Sequence, residues 1–274
     1  MPPSEVVIHP SAVVRPGARL DEGVFVGPGC VIGKDVTILK GTRLEAHVVV
    51  GGRTSIGADN RFSPFVVVGT EPQDVGTSEE DTELAIGDGN VFREFVTVHR
   101  GTVKGGGRTV LGNANYFMNY AHIGHDSRIG NECVFINNAT LAGHVTIDDF
   151  VMLSGFSGVH QFCRIGRYAF LGGDTIVTQD VVPFSRVVGS RPARLYGLNV
   201  VGLRRCGLSA ERRNALKALF KILFYSGLST SQAVERIRSQ FPPSEDRDLI
   251  LDFIATSKRG ILKKTADAWE DESD

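Results

Sequence analysis

The chain has 274 residues, of which 42% are hydrophobic, and a formal net charge of −1. This length and composition allow one large core with a smaller appended unit, and they exclude extensive disorder except at the ends. The first residues show no basic segment followed by an apolar one, and no stretch reaches the roughly 18 apolar residues that a membrane span needs. We therefore expect a cytoplasmic protein without an integral membrane segment.

Apolar residues recur every six positions over most of the chain. These positions run from Ile8 to Val68, from Ile86 to Val98 and from Leu111 to Val177. A six-residue period fits neither an α-helix nor a free strand, but it fits short strands joined by tight turns, where glycine supplies the positive φ. The pattern predicts a mainly β protein with a parallel β-helix over residues 1–190. Each coil of three strands would contain about 18 residues, with coils stacked at the spacing of β-strands.

Two insertions interrupt the hexads of this predicted β-helix, at about 70–85 and at about 101–109. The first is acidic and the second is rich in glycine. Loops that leave a rigid scaffold are where binding and catalytic residues usually lie. We therefore expect the functional site near these two insertions.

The period changes to a helical one in the last part of the chain, and residues 191–274 are predicted to form an α-helical domain. Ser209 is a suitable N-cap for its first long helix, and Gly227 is a suitable stop signal. Further helices are predicted at about 230–240 and 245–258. The protein should therefore combine a β-helix with a C-terminal helical domain.

Four of the seven histidines lie within 39 residues that follow the second insertion. They are His122, His125, His144 and His160. A coil of about 18 residues places His125, Gly143 and Gln161 above one another at one corner, with Asp126 and His144 in the neighbouring column. The repeat itself therefore predicts a histidine cluster at one corner of the β-helix.

Such a cluster has the residue types that acyl transfer needs. A neutral imidazole such as His125 is suited to removing a proton from a hydroxyl, and Asp126 could orient it and stabilise the imidazolium. Gly143 has no side chain to obstruct its N–H, which could stabilise an oxyanion on an attacked thioester. The alternative is that these polar turn residues merely face solvent.

The four cysteines show neither a CxxC pair nor the spacing of a zinc site, which argues against a disulfide framework or a structural metal. Cys30, Cys133 and Cys163 occupy the fifth position of their hexads, which points inward and favours small residues. We expect them to fill the core rather than to react. Direct transfer is therefore favoured over a covalent enzyme intermediate.

A strongly basic segment follows the hexads, between Arg186 and Lys221. Its only acidic residue is Glu211, whereas nine residues are basic. They are Arg186, Arg191, Arg194, Arg204, Arg205, Arg212, Arg213, Lys217 and Lys221. A local positive field of this size would attract phosphates or an acidic protein surface, although an ordinary solvated helix face is the alternative.

Several motifs together resemble one known family over nearly the whole chain. They are the hexads, VTVHRGTVKGGG, NYAHIGHD, NNATLAGHVTIDDF, VHQF and the helical C-terminus. The chain is similar in these motifs to the UDP-N-acetylglucosamine acyltransferases of lipid A biosynthesis. The resemblance implies a left-handed parallel β-helix and a homotrimer with active sites between neighbouring subunits.

The resemblance also implies the reaction and the partners. A (3R)-3-hydroxyacyl group would be transferred from acyl carrier protein to the 3-hydroxyl of UDP-N-acetylglucosamine, as the first step of lipid A synthesis. No cofactor is implied apart from the phosphopantetheine that the carrier protein brings, and neither a metal nor nucleic acid is expected. Both the UDP pyrophosphate and the acidic carrier protein are candidates for binding the basic segment.

The resemblance assigns roles to individual residues. His125 would be the general base, Asp126 its orienting partner and the Gly143 N–H the oxyanion donor. The implied substrate-binding residues are Gln73 and Asp74 for the sugar, Asn199 and Arg205 for the nucleotide, Gly173 for the acyl groove, and His122, His144, His160 and Gln161 for the remaining substrate and acyl pocket. The missing side chain at Gly173 suggests room for a longer acyl chain.

Other functions of the same fold stay open from the residues alone. Clustered histidines also bind zinc, as in β-helical carbonic anhydrases. Those enzymes need three metal-binding histidines, two of them five residues apart, whereas the position five after His160 is the inward apolar residue Ile165. A small-group transferase that uses acetyl-CoA and a non-catalytic scaffold are further alternatives. If the chain is such an acyltransferase, an acceptor with a 3-amino group in place of the 3-hydroxyl is possible. Asp74 makes us prefer the hydroxyl.

Overall fold

The structure is a computed structural model, and it describes residues 5–75 and 81–263. Within these residues, a long series of short strands is followed by four α-helices. None of the helices in these two ranges has both the length and the apolar character required to span a membrane.

The strands are mostly two to four residues long, and they follow one another at the predicted six-residue intervals. They are β1 Val7–Ile8, β2 Val13–Val14, β3 Arg19–Leu20, β4 Phe25–Val26, β5 Val31–Ile32, β6 Val36–Ile38, β7 Arg43–Leu44, β8 Val49–Val50, β9 Arg53–Ile56, β10 Arg61–Phe62, β11 Val67–Thr70, β12 Glu83–Ile86, β13 Val91–Phe92, β14 Thr97–His99, β15 Arg108–Leu111, β16 Tyr116–Phe117, β17 His122–Ile123, β18 Arg128–Ile129, β19 Val134–Phe135, β20 Thr140–Leu141, β21 Thr146–Ile147, β22 Met152–Leu153, β23 Gly158–Val159, β24 Arg164–Ile165, β25 Phe170–Leu171, β26 Ile176–Val177, β27 Ser185–Val188 and β28 Arg194–Leu198.

The strands β1 to β26 form three parallel sheets, because each of them pairs with strands that lie three places before or after it in the chain. The first sheet begins at β1, the second at β2 and the third at β3. The pairing of Val7 with Phe25 shows a coil of 18 residues, as predicted. The two coils that carry insertions are longer, and their stacked asparagines Asn60, Asn90 and Asn115 are separated by 30 and then 25 residues. The coil length predicted from the hexads is therefore confirmed outside the insertions.

The inward-facing apolar residues form one continuous core along the axis of the β-helix. Its largest side chains include a column of rings in the first sheet, Phe62, Phe92, Phe117 and Phe135, with neighbouring centroids 4.6 to 4.9 Å apart and the last pair tilted. The buried asparagines form a second inward column, in which the Asn90 and Asn115 N–H groups donate to the amide oxygens of Asn60 and Asn90. The coils at these levels therefore repeat both apolar and polar contacts.

The turns differ from the prediction that glycine would supply their positive φ. Glycine does so mainly in the N-terminal coils, whereas many later turns hold aromatic or polar residues there. Phe95 has a φ of 63°, Asp126 of 60° and His144 of 61°. A left-handed conformation costs roughly 1–2 kcal/mol for a residue with a Cβ. Stacking of rings such as Phe95 and Tyr120, with centroids 4.9 Å apart, offsets part of this cost.

Both insertions leave the β-helix at the same corner, between the second and third sheets. The first lies between β11 and β12, and the second between β14 and β15. We call this the histidine corner, because its turns 124–127, 142–145 and 160–163 carry His125, His144 and His160, and His122 lies on the strand that leads into the first of them. The insertions are shorter than predicted, since Glu83 already begins β12 and Arg108 begins β15, where each pairs with the strand of the next coil.

The strand β28 lies within residues 191–274, which the sequence analysis predicted to be an α-helical domain. The strand β27 still pairs parallel with β25, and β28 folds back antiparallel on β27. Four helices follow, and they are α1 Val200–Arg205, α2 Ala210–Tyr225, α3 Thr230–Gln240 and α4 Glu245–Ala255. Ser209 caps α2 by accepting from the Arg212 N–H, as predicted. The short helix α1 was not predicted, because six residues give too little helical periodicity.

The phenylalanine column generates a prediction about stability. Replacing the fully buried Phe92 with Ala should lower the free energy of unfolding by about 3–5 kcal/mol, because it leaves a cavity between two stacked rings. Replacing Val91 with Ala should lower the free energy of unfolding by less than about 1 kcal/mol, because Val91 lies on the same strand with its side chain outward. Urea unfolding followed by circular dichroism measures both. Equal losses in the two variants would contradict the ring column as a main stabilising contact.

Candidate active site

The histidine corner brings together side chains from three successive coils. His125 and Asp126 lie in the first of its turns, Gly143 and His144 in the second, and His160 in the third. The backbone links the coils directly, because the His144 N–H donates to the His125 carbonyl at 2.8 Å. The vertical alignment predicted from the 18-residue spacing is therefore present.

His125 and Asp126 form a hydrogen-bonded side-chain pair at this corner. The distance from His125 Nδ1 to Asp126 Oδ2 is 2.8 Å. The Asp126 side chain is fully buried, whereas the His125 side chain is 13% exposed. A carboxylate at this position accepts the Nδ1–H and leaves the lone pair of Nε2 available. The imidazole can therefore act as a proton acceptor towards the exposed side.

Thr102, in the second insertion, holds the Asp126 carboxylate from the opposite side. Its backbone N–H donates to Asp126 Oδ1 at 2.9 Å, and its hydroxyl donates to Oδ2 at 2.7 Å. Gly105 packs so closely that an added Cβ would lie 2.2 Å from the Asp126 carboxyl carbon. Sequence analysis missed Thr102 and Gly105 as site residues, because hexad spacing gives no position for a residue within an insertion.

Gly143 lies directly against the His125 ring. A Cβ added to Gly143 would be 2.5 Å from Cε1 and 2.6 Å from Nε2 of His125. The absence of a side chain is therefore a steric requirement for the position of this imidazole. The Gly143 carbonyl accepts from the Phe162 N–H of the next coil, so the backbone at Gly143 is fixed by the coil stack.

His144 lies next to the same carboxylate, with its Nε2 3.8 Å from Asp126 Oδ2. Its ring meets that of His125 edge-on, with centroids 5.1 Å apart, and stacks on Phe162 with centroids 4.5 Å apart. Burial lowers the pKa of His144, and the Asp126 charge opposes this change. His144 therefore tends to be neutral and packs as a flat wall beside His125.

His122 and His99 form a second imidazole pair, on adjacent strands of the second sheet. Their ring centroids are 5.4 Å apart. Burial, with the nearby charges of His99 and His125, lowers the pKa of His122 to about 4. Burial also lowers the pKa of His99, whose Nδ1 contacts the Glu71 carbonyl oxygen at 2.5 Å and so fixes the start of the first insertion. Sequence analysis missed His99, although it lies in the HRGT motif.

The first insertion contributes Asp74 to the histidine corner. Its carboxylate forms an ion pair with Lys104 of the second insertion, with Nζ 2.5 Å from Oδ2. This pair is the main cause of the lowered pKa of Asp74, and the charges of His125 and His144 lower it further. Gln73 is exposed beside it. The two insertions therefore meet in front of the imidazoles.

His160 and Gln161 lie at the exposed end of the same corner, where His160 Nδ1 is 3.1 Å from the Gln161 carbonyl oxygen.

Three other predicted residues lie elsewhere in the chain. Gly173 lies in the turn between the first and second sheets, and Asn199 caps α1 while its amide donates to the Tyr168 carbonyl at the remaining corner. Arg205 is the last residue of α1, the helix that begins after Asn199. A single chain therefore does not bring Gly173, Asn199 and Arg205 to the histidines.

Among the described residues, one side-chain group has the spacing of a metal site. His125, Asp126 and His144 each offer a ligand atom, and these atoms lie within 4.8 Å of one another. Asp126 Oδ2, however, already contacts His125 Nδ1 and accepts from the Thr102 hydroxyl. Two members of this group, Asp126 Oδ2 and His125 Nδ1, are therefore already used for internal hydrogen bonds.

The predicted core position of the cysteines is confirmed, since Cys30, Cys133 and Cys163 are fully buried. Burial raises the pKa of Cys133 to about 12 and that of Cys163 to about 11. Buried thiols of this kind are poor nucleophiles.

The basic segment is divided between contacts within the chain and the surface. Arg212 pairs with Asp246 of α4, and Arg186 stacks over the Tyr196 ring. Arg204 and Lys217 are exposed. Much of the positive charge predicted for this segment therefore lies at the surface.

Comparisons with known proteins agree with one another. Residues 180–262 match the family model described as UDP N-acetylglucosamine O-acyltransferase, domain 2. The chain is 48% identical over 256 residues to the acyl-[acyl-carrier-protein]–UDP-N-acetylglucosamine O-acyltransferase of Stenotrophomonas maltophilia, which covers 93% of this chain and 97% of that protein. It is 46% identical over 257 residues to the protein of the same name from Xylella fastidiosa, with 94% and 98% covered.

Solved structures give the same result. The UDP-N-acetylglucosamine acyltransferase of Francisella novicida aligns with a TM-score of 0.92 at 39% identity, covering 95% of each chain. The UDP-N-acetylglucosamine O-acyltransferase of Moraxella catarrhalis aligns with a TM-score of 0.89 at 38% identity, covering 93% of this chain and 99% of the other. These similarities confirm the expected left-handed parallel β-helix with C-terminal helices.

The low pKa of His122 leads to a prediction about pH dependence. An unfolded histidine titrates near 6.5, so between that pH and about 4 the unfolded chain binds more protons than the folded one, and stability falls as the pH falls. Replacing His122 with Asn should make the loss of melting temperature between about pH 7.5 and about pH 5 smaller than in the parent. Replacing the exposed His160 with Asn is the matched control, and this loss should remain at the parent value. Identical pH dependence in the parent and both variants would contradict a buried, neutral His122.

Proposed function

The chain belongs to the UDP-N-acetylglucosamine O-acyltransferase family, and from this premise we propose that it transfers a (3R)-3-hydroxyacyl group from acyl carrier protein to the 3-hydroxyl of UDP-N-acetylglucosamine. This reaction would be the first step of lipid A synthesis, and we place it in the cytoplasm as part of the proposal. The family relationship rests on relatives 44–49% identical over at least 93% of the chain. The observation that carries the proposed chemistry is the His125–Asp126 pair, which lies against Gly143 where both insertions meet.

The first proposed step is removal of the proton from the sugar 3-hydroxyl by His125 Nε2. Asp126 keeps the ring in the required tautomer because it accepts from Nδ1, and it stabilises the imidazolium that forms. Thr102 supports this role, since its two hydrogen bonds fix the carboxylate. General-base catalysis of this kind is typically worth about 10²–10⁴ in rate.

The second proposed step is attack of the sugar oxygen on the thioester carbonyl carbon. The carbonyl oxygen becomes an oxyanion, and the Gly143 N–H is our candidate donor for it. Collapse of this intermediate forms the ester bond and breaks the carbon–sulfur bond. The thiolate of phosphopantetheine leaves and takes the proton from the His125 imidazolium, which restores the base. The high pKa values of the buried cysteines support transfer without an enzyme-bound acyl group.

We propose a homotrimer whose active sites lie between neighbouring subunits. Gly173, Asn199 and Arg205 lie away from the histidine corner of their own chain, so they could contact the same substrate only from a neighbouring copy. A column of exposed rings at the corner between the first and second sheets offers an apolar contact surface, and its most exposed members are Tyr120 and Phe156, at 54% and 66%.

The proposed substrate contacts follow from the same arrangement. Asp74 and Gln73 would bind the sugar, while His122, His144, His160 and Gln161 would line the substrate and acyl pocket. Asn199 and Arg205 would contact the nucleotide, and the exposed basic residues after Arg186 would attract the UDP pyrophosphate and the carrier protein. A Cβ at Gly173 would make only ordinary contact, 3.7 Å from the Gly155 oxygen, which supports room for a long acyl chain.

Product analysis tests this function against its alternatives. Purified protein is incubated with UDP-N-acetylglucosamine, its 3-amino analogue, carrier proteins loaded with short and long 3-hydroxyacyl groups, and acetyl-CoA, and the products are identified by mass spectrometry. We expect a long 3-hydroxyacyl ester of UDP-N-acetylglucosamine. An acetylated product would support the small-group transferase instead, and preference for the amine or for the short chain would contradict the proposed acceptor or the proposed chain length.

The proposed base gives a sharper prediction. Replacing His125 with Ala should lower kcat by about 10²–10⁴ while the circular dichroism spectrum stays unchanged, because the core does not use this side chain. Replacing the exposed His9 of the N-terminal coil with Ala is the matched control and should leave kcat unchanged. An excess of metal chelator should not change the parent rate. Normal turnover of the His125 variant would contradict its role as base, and loss of activity in chelator would favour a metal at His125, Asp126 and His144.

A further inference from the structure

An ion pair between the two insertions is the strongest feature near the site to which no role has yet been assigned. Lys104 Nζ lies 2.5 Å from Asp74 Oδ2, although the two insertions belong to different coils of the β-helix. The Asp74 side chain is 20% exposed and that of Lys104 is 61% exposed. The carboxylate is therefore largely enclosed, while the ammonium approaches it from the solvent side.

The position of Lys104 is determined by the same turn that holds Asp126. Val103–Gly105 form a 3₁₀ turn, and the Thr102 hydroxyl caps it by accepting from the Gly105 N–H at 3.0 Å. That hydroxyl also donates to Asp126. One rigid turn therefore contacts the carboxylate beside His125 through Thr102 and the carboxylate of the first insertion through Lys104.

The charges of this pair act on the proposed catalytic imidazoles. Lys104 is the main cause of the lowered pKa of Asp74, with smaller contributions from His125 and His144. At His144, the Lys104 charge lowers the pKa and the Asp74 charge raises it. Because the two charges oppose each other at His144, the ion pair presents an ionised hydrogen-bond acceptor with little net effect on the pKa of His144.

We propose that Lys104 is a positioning residue for acceptor binding, which holds the Asp74 carboxylate in the orientation that accepts hydrogen bonds from the sugar hydroxyls. This inference rests on the proposed function. The ammonium acts through Asp74, so its loss should weaken binding of the sugar nucleotide and leave binding of the acyl carrier protein unchanged. Arg should largely replace Lys, because a guanidinium also pairs with a carboxylate.

The test compares Lys104→Gln, Lys104→Arg, Asp74→Asn and the Lys104→Gln/Asp74→Asn double variant in steady-state kinetics with both substrates. For Lys104→Gln we expect the KM for UDP-N-acetylglucosamine to rise about three- to tenfold, with kcat and the KM for acyl carrier protein changed less than about twofold. Lys104→Arg should return the KM to within about twofold of the parent. The double variant should be no worse than Asp74→Asn alone, because the ion pair with Asp74 is already absent in that variant.

A matched control is Arg108→Gln, which removes a cation at the end of the same insertion that lies 3.6 Å from Glu83. Its kinetic constants should equal those of the parent. Additive effects in the double variant, or a rise in the KM for acyl carrier protein alone, would overturn the inference and indicate that Lys104 contacts an anionic substrate group directly. Failure of the proposed function is distinguishable, because the parent protein would then not acylate UDP-N-acetylglucosamine at all.

Discussion

The 18-residue coil is the constraint on which the site depends. Parallel pairing fixes each strand against the strand one coil away, and the inward columns of Phe92 and Asn90 repeat the same contacts at each level. A shift of one residue would turn every inward side chain outward, so the buried columns determine the register. With the register determined, His125 must lie against Gly143, although 18 residues separate them. The geometry at the histidine corner is therefore a consequence of core packing.

The insertions can differ in length because they leave and re-enter the β-helix at one corner. The coils on either side keep their pairing, as the four paired residues of β12 and β15 show. Extra residues therefore extend from the histidine corner without disturbing the core. This is why Thr102 can hold Asp126 and why His99 can anchor the first insertion at Glu71. The β-helix supplies the imidazoles, and the insertions supply the groups that orient and enclose them.

Sequence patterns were sufficient for the parts of the molecule that repeat. They predicted the coil, the inward cysteines and the alignment of His125 with Gly143, because each follows from counting in sixes. They could not predict Thr102 or Lys104, since contacts made by an insertion depend on its local turn and not on the period. They also gave no way to see that Asn199 caps a short helix at another corner, because helices of six residues lack a detectable period. The predicted features are those that follow the six-residue period, whereas the missed contacts depend on the local conformation of an insertion or of a short helix.

Gly143 shows how the coil spacing can limit the choice of residue independently of chemistry. Any Cβ there would lie 2.5 to 2.6 Å from the His125 ring atoms Cε1 and Nε2, so even Ala would displace the imidazole from Asp126. The turn column beside it accepts large residues, since His144 and Phe162 stack there with centroids 4.5 Å apart. Of these two neighbouring turn positions, only the one that faces the His125 imidazole therefore requires a residue without a side chain. The steric requirement therefore selects glycine at this position independently of the oxyanion role that we propose for its backbone N–H.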